Sequence, residues 1–239
     1  MSGVSVAAGA RRAGPAPFKE YADGLACPTT PPTVPRHGGA SMADPIAKPD
    51  ADTLARSVQQ AAKAAKKGPP PVHLWNPPFC GDLDIRIARD GSWWYLGTPI
   101  GREALVRLFA SVLRKDGDDY FLVTPVEKVG ITVDDAPFVA QDFRVEGEGD
   151  ARRLVFVTNV GDETEAGPEH PIRVERDPGT GEPSPYVHVR ARLEALIDRK
   201  SFYRLVELGE HAEHEGARWF GLRSAGVFFP ILPSEELEG

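Results

Sequence analysis

The segment "LDIRIARDGSWWYLG", Leu83 to Gly97, constrains the fold more than any other part of the chain. Leu83, Ile85 and Ile87 alternate with polar residues, so they share one face of a strand. Asp90-Gly91 follows, and glycine supplies the positive φ that a tight hairpin turn needs. Trp94, Leu96 and Thr98 alternate on the return strand. Such a stretch commits the chain to antiparallel sheet. Trp93 and Trp94 point to opposite sides of the hairpin: one belongs in a core, and the other can stack on a ligand or lie against the N-terminal helix.

The same punctuation runs through the rest of the chain. Arg102 to Leu113 carries Leu105, Leu108, Phe109, Val112 and Leu113 at helical spacing. "YFLVTP" and "EKVGITV" predict two strands around Pro125. "FVAQDFRVEG", "RRLVFVTNVG" and "HPIRVE" predict a meander, and "YVHVRA" a short strand after the loop "DPGTGEPSP". Leu193 to Glu213 predicts helix, broken near Arg199-Lys200-Ser201, and "RWFGLRSAGVFFPIL" closes the chain as a buried strand pair.

One internal echo stands out. "YLGTPIGREALVRLF" from Tyr95 aligns with "YVHVRARLEALIDR" from Tyr186 at an offset of 186 − 95 = 91 residues, placing Glu103-Ala104-Leu105 on Glu194-Ala195-Leu196. It predicts a repeated strand–helix–strand unit. The expected class is α+β: two structurally related lobes, each a mainly antiparallel sheet with one main helix. A Rossmann fold is disfavoured, since no G-x-G-x-x-G is present.

The boundaries follow from composition. Residues 1–41 hold six prolines and no apolar periodicity, which predicts a disordered extension, with translation starting at Met42. Residues 42–72 read as an N-terminal helix, capped by Asp50 or Asp52, and a proline-rich linker. The thin stripe of Leu54, Val58 and Ala61/Ala62 predicts loose docking, with the helix's lysines complementing its C-terminal dipole up to the Gly68 stop. The lobes are expected over 73–134 and 135–233, followed by a disordered tail over 234–239.

A net charge of −7 without a basic run argues against nucleic acid. No apolar run approaches the roughly 20 residues a membrane helix needs. Cys27 and Cys80 make no disulfide framework, so a cytoplasmic location is expected.

Several stretches together, "FCGDLDIRIARDGSWWYLGTPI", "FLVTPVEKVGITVDDAPFVA", "VFVTNVGDETEAGPEHPIRV", "PYVHVRARLEALIDR" and "GVFFPI", resemble an uncharacterised proteobacterial family known only by a domain-of-unknown-function label. The resemblance spans about Pro70 to Leu232. It implies a two-part α+β fold with repeated motifs and no established activity, and it carries over no site residues.

Candidate chemistry is sparse. "TNVGDETEAGPEHPIR" gathers Thr158, Asn159, Asp162, Glu163, Glu165, Glu169, His170 and Arg173, which could hold a divalent ion or simply shape a hairpin loop. Its spacing matches no metal motif, and no metal is assigned. Glu127-Lys128 could act as an acid/base pair, but neighbours in a strand face opposite ways. Asp134-Asp135 suits a turn, Cys80 packing, and His211 with His214 a solvated helix end. Arg102 and Arg190 could each clamp an anion or pair with Glu103 and Glu194.

No catalytic set emerges. The chain reads as a non-enzymatic protein that binds a small molecule or a protein partner between its lobes, in signalling or regulation. Trp94, Thr124, Glu127, Thr158, Asn159, His170 and Arg190 are expected to line that crevice, and no cofactor is identified. The alternatives are a hydrolase using Asp162 and His170, with or without a metal, and a structural adaptor whose exposed aromatics form an interface.

Overall fold

The structure is a computed structural model and describes residues 51–64 and 70–237. The extension over 1–41, the Met42 start, Cys27, Asp50 and the Gly68 helix stop lie outside those residues.

The first helix, α1 (Ala51–Ala64), does not dock loosely. Leu54 and Val58, one turn apart, are completely buried, and Ala51 and Ala55 join them in the core. Leu54 and Val58 of the stripe thus sit inside the protein, and α1 packs on α2 (Glu103–Ser111).

The first lobe is a six-stranded sheet of β1 (Phe79–Ile87), β2 (Trp93–Tyr95), β3 (Thr98–Pro99), β4 (Leu113–Asp116), β5 (Asp119–Val123) and β6 (Lys128–Val133), with α2 joining β3 to β4. Its order is β3-β2-β1-β6-β5-β4. The second lobe repeats this plan with β7 (Phe138–Glu146), β8 (Arg153–Thr158), β9 (Glu163–Glu165), β10 (Ile172–Arg176), β11 (Pro183–Arg190) and β12 (Leu193–Ile197), in the order β10-β11-β12-β7-β8-β9. Each lobe is thus two antiparallel meanders joined down the middle by its own first and last strands. Those central pairs, β1 with β6 and β7 with β12, are parallel.

The duplication is real, but the echo does not mark it. Equivalent strands begin 138 − 79 = 59 and 193 − 128 = 65 residues apart. The offset of 91 sets the opening of α2 against strand β12. The helix expected over Leu193 to Glu213 is therefore corrected to a strand, a short helix α3 (Arg199–Val206) and a second strand, β13 (Glu210–His214). The physical reason is periodicity. Leu193, Ala195 and Ile197 are buried while Glu194 and Leu196 are partly exposed, a period of two that overrides the helix propensity of Glu, Ala and Leu. "EHAEH" alternates in the same way, so His211 and His214 stand on an antiparallel strand and not at a helix end.

With β14 (Ala217–Ser224) and β15 (Val227–Pro233), β13 forms a third, antiparallel sheet. Buried Ser224 ties it to the second lobe, accepting from the Leu154 N–H at 2.8 Å and donating to the Ala166 carbonyl at 2.7 Å. The tail expected to be disordered from Ser234 instead makes a 310 turn over Ser234–Leu237, with Ser234 buried against His211. One continuous core runs through all three sheets. Among the described residues no helix is long and apolar enough to cross a membrane.

Candidate functional site

The two lobes meet where the β1–β2 hairpin tip touches the second sheet. Ser92 donates to the Asp90 carboxylate through its N–H (2.9 Å) and hydroxyl (2.6 Å), and accepts from the Trp94 indole N–H at 2.8 Å. The Ser92 hydroxyl, then its N–H, holds the Asp90 pKa below the usual carboxylate value. The tip is therefore tied together by its own hydrogen bonds. Gly91 sits at φ +81, and a Cβ there would lie 2.6 Å from Asn159 Nδ2 and 2.9 Å from Val139 Cγ2, so only glycine permits the approach. Across the gap, the Asn159 amide donates to the Gly91 carbonyl at 3.0 Å and accepts from the Val139 N–H at 3.0 Å. Asn159 thus staples one lobe to the other.

One cleft opens beside this tip, and a second reaches Arg89 just before it. The first, of ≈ 290 Å³, is bounded by the tip, Ile100, Val106 on α2, and Gln141 and Asn159 of the second lobe. Trp93 also lines it; the ring is buried and stacks on Phe109 at 6.3 Å, and its indole N–H has no hydrogen-bond partner among the described residues. Arg107 and Glu103, an i, i+4 pair, stand at its edge. The second cleft, of ≈ 320 Å³, lies between Arg89, the start of β11, the end of β12 and α3.

Of the seven residues expected to line an inter-lobe crevice, Asn159 lines the first cleft. Thr158 and Arg190 meet it at the β8–β9 turn: the Thr158 hydroxyl accepts from the Asp162 N–H at 3.0 Å, and Asp162 pairs with Arg190. Arg190 also donates to the Ala110 carbonyl at the end of α2 (2.9 Å) and lies 4.8 Å from the Phe138 ring centre, so it too joins the lobes. Burial pushes the Arg190 pKa down. The remaining four lie elsewhere. Trp94 is half-buried and bonded to Ser92, while buried Thr124 closes the β5–β6 turn, accepting from the Glu127 N–H at 3.1 Å. Glu127 keeps one buried carboxylate oxygen without a partner among the described residues, and its neighbour Lys128 reaches away to Asp116. His170 shares a 3.1 Å Nδ1–Nδ1 hydrogen bond with His188.

The carboxylates that looked like one cluster disperse onto separate arginines: Asp162 onto Arg190, Glu163 onto Arg144, and Glu165 onto Arg153. No hydrogen bond joins Asp162 to His170 among the described residues, and no group of three or more metal-ligating side chains is found there. Asp134 and Asp135 are also junction residues. Asp134 pairs with Arg86, while Asp135 accepts from the Tyr186 hydroxyl (2.8 Å) and faces Arg89 at 3.4 Å. Burial first, then the bond to Asp135, pushes the Tyr186 phenol up to about 12. Sequence reasoning missed Gln141, Arg89, Leu196 and Tyr203. Of the residues expected at the crevice, Asn159, Thr158 and Arg190 do meet at the junction.

Beside the junction, Arg173 forks onto Glu194 at 2.7 and 2.6 Å. That hydrogen bonding, more than charge alone, holds the Glu194 pKa below its ordinary value against the opposing effect of burial. A carboxylate with a lowered folded-state pKa stabilises the fold above its unfolded value and loses that contribution as pH falls through the folded one. Acid unfolding of Glu194→Gln is therefore expected to be shallower than wild type below about pH 4.5, the two converging at lower pH. Urea midpoints measured at half-unit pH steps check this; parallel curves would contradict it.

A two-lobed α+β protein built from two similar six-stranded sheets is thus the class that fold and junction define. Two family models match it: the N-terminal domain of DUF1285, a domain of unknown function, over residues 70–136, and the C-terminal domain of that family over 137–231. The chain belongs to the DUF1285 family. A crystal structure of a DUF1285 family protein from Silicibacter pomeroyi DSS-3 is similar at 62% identity, with a TM-score of 0.68, covering 76% of this chain and 98% of that one. A second, from Shewanella baltica OS155, is 30% identical over 52% of this chain and 91% of that one, with a TM-score of 0.42. No curated protein matches the chain.

Proposed function

We propose that this chain is a cytoplasmic, non-enzymatic binding protein, and that a small molecule occupies the cleft between the hairpin tip, α2 and the second sheet. The observation that carries the reading is the cleft itself: ≈ 290 Å³ bounded by both lobes, at the contact where Asn159 staples them. Pockets form preferentially at such junctions. Apolar Ile100 and Val106 beside polar Gln141 and a charged rim suit a small polar ligand with one apolar side. A ligand touching both lobes would stiffen their junction, which is how such a protein would act in signalling or regulation.

Native mass spectrometry of the gently purified protein tests this. A bound small molecule is expected on the wild type and is lost from Gln141→Trp, whose indole fills the cleft from an exposed position. Equal occupancy of the two proteins, or no ligand recovered after exposure to cell extract, would overturn the reading.

A further inference from the structure

The second cleft differs from the first in chemistry. Its walls are mainly apolar: Pro183 and Pro185 of β11, Leu196 at an outward position of β12, and Phe202 and Tyr203 of α3. Tyr203 is 57% exposed beside this concave surface, where a large aromatic ring left to water is a recognition feature. Two arginines reach the same space, and each is already held. Arg89 donates through Nη2 to the Ser184 hydroxyl at 2.8 Å and faces Asp135 through Nε at 3.4 Å. Arg199 donates through Nε to the Tyr203 hydroxyl at 3.1 Å and lies 5.7 Å from the ring centre. Neither Nη group of Arg199 has a hydrogen-bond acceptor among the described residues, and Nη1 of Arg89 also has none.

The acidic groups nearby are mostly committed. Asp198 caps α3 by accepting from the Ser201 N–H at 2.7 Å, and Asp135 accepts from Tyr186. Exposed Glu182 is the remaining carboxylate on the lining, and it acts electrostatically on Arg199. The cleft therefore offers pre-positioned guanidinium donors beside an apolar, aromatic wall. That combination recognises an acid with an apolar body: planar guanidinium forks match a carboxylate, and held side chains lose little entropy on binding.

We propose that this cleft is a second ligand site and takes a small aromatic or aliphatic carboxylic acid. Its carboxylate meets Arg199 and Arg89, and its apolar body lies against Leu196, Phe202 and Tyr203. This holds whether or not the cleft beside α2 binds anything.

Isothermal titration calorimetry with 2-naphthoate, and with 2-naphthylmethanol as its uncharged counterpart, tests the proposal on the full chain. Saturable one-to-one binding of naphthoate is expected, with the alcohol binding roughly tenfold or more weakly. Arg199→Gln, an exposed change, is expected to weaken naphthoate to the same degree and leave the alcohol unaffected. Leu196→Trp, which fills the cleft, abolishes both, while Gln141→Trp in the other cleft changes neither. No saturable naphthoate binding, equal affinity for acid and alcohol, an unaltered Arg199→Gln protein, or loss of binding in Gln141→Trp would each overturn it. Thermal melts of the variants confirm that they are folded, and Arg199→Gln carries the test should Leu196→Trp fail to fold.

Discussion

Phe138→Ala is expected to lower the free energy of unfolding by about 3–5 kcal/mol. Phe138 opens β7, is completely buried, and pairs across the central parallel seam with Ala195, itself completely buried. Its ring also carries the Arg190 guanidinium on one side. Ala195 has no side-chain rotamer with which to refill the space, and Arg190 is anchored by Asp162 and Ala110. The cavity therefore stays open, and the transfer and cavity costs add. Urea unfolding should show a lower midpoint at unchanged slope. Phe138→Leu, which keeps most of the volume, should fall well short of this loss; equal losses would refute the cavity account.

Asn159→Ala is expected to cost about 2–4 kcal/mol, because it leaves the Val139 N–H and the Gly91 carbonyl without their partners, each worth about 1–3 kcal/mol when orphaned. Val139 is buried, so its N–H finds no water in exchange, whereas the Gly91 carbonyl lies beside the first cleft. The same geometry predicts non-additivity. Gly91→Ala in the wild type drives a methyl towards the Asn159 amide, and this clash disappears when Asn159 is already alanine. The double variant should therefore be more stable than the sum of the single losses implies, although Val139 and the positive φ still oppose the methyl. Strict additivity in a double-mutant cycle would show that Gly91 and Asn159 do not act as one staple.

How much of this was legible in the sequence depends on where the deciding force lay. The β1–β2 hairpin was legible because alternation and an Asp-Gly turn are both local. The strand β12 was not: "LEAL" is made of helix formers, and only its place beside β7 and β11 selects the period-two reading. The duplication lies in strand order and not in matching residues, so the echo of Glu-Ala-Leu does not report it. At the junction, Asn159 is expected both as a turn residue and as a lining of the crevice, but its partners, 20 and 68 residues away, are not legible. Such pairings leave no local trace. For Arg190 the sequence allows both a place in the crevice and a pairing with Glu194; that glutamate belongs to Arg173, and Arg190 turns inward to Asp162. Leu196 and Tyr203 were hidden because exposure, not residue type, makes them candidates for recognition.

The central pairing of first and last strands in each lobe bears on how the chain is made. A ribosome delivers β1 long before β6, and their paired ends, Phe79 and Lys128, are 128 − 79 = 49 residues apart; in the second lobe Phe138 and Ala195 are 195 − 138 = 57 apart. Neither sheet can close until its final strand has emerged. Until then the nascent lobe holds one three-stranded meander and an unfinished two-stranded hairpin, and its first strand presents a bare hydrogen-bonding edge, a template for any stray strand. Contacts of this span fold slowly, since loop closure precedes the reward. Stalling synthesis just before β12 would leave the second lobe open along its middle, and its vulnerability to aggregation would peak there.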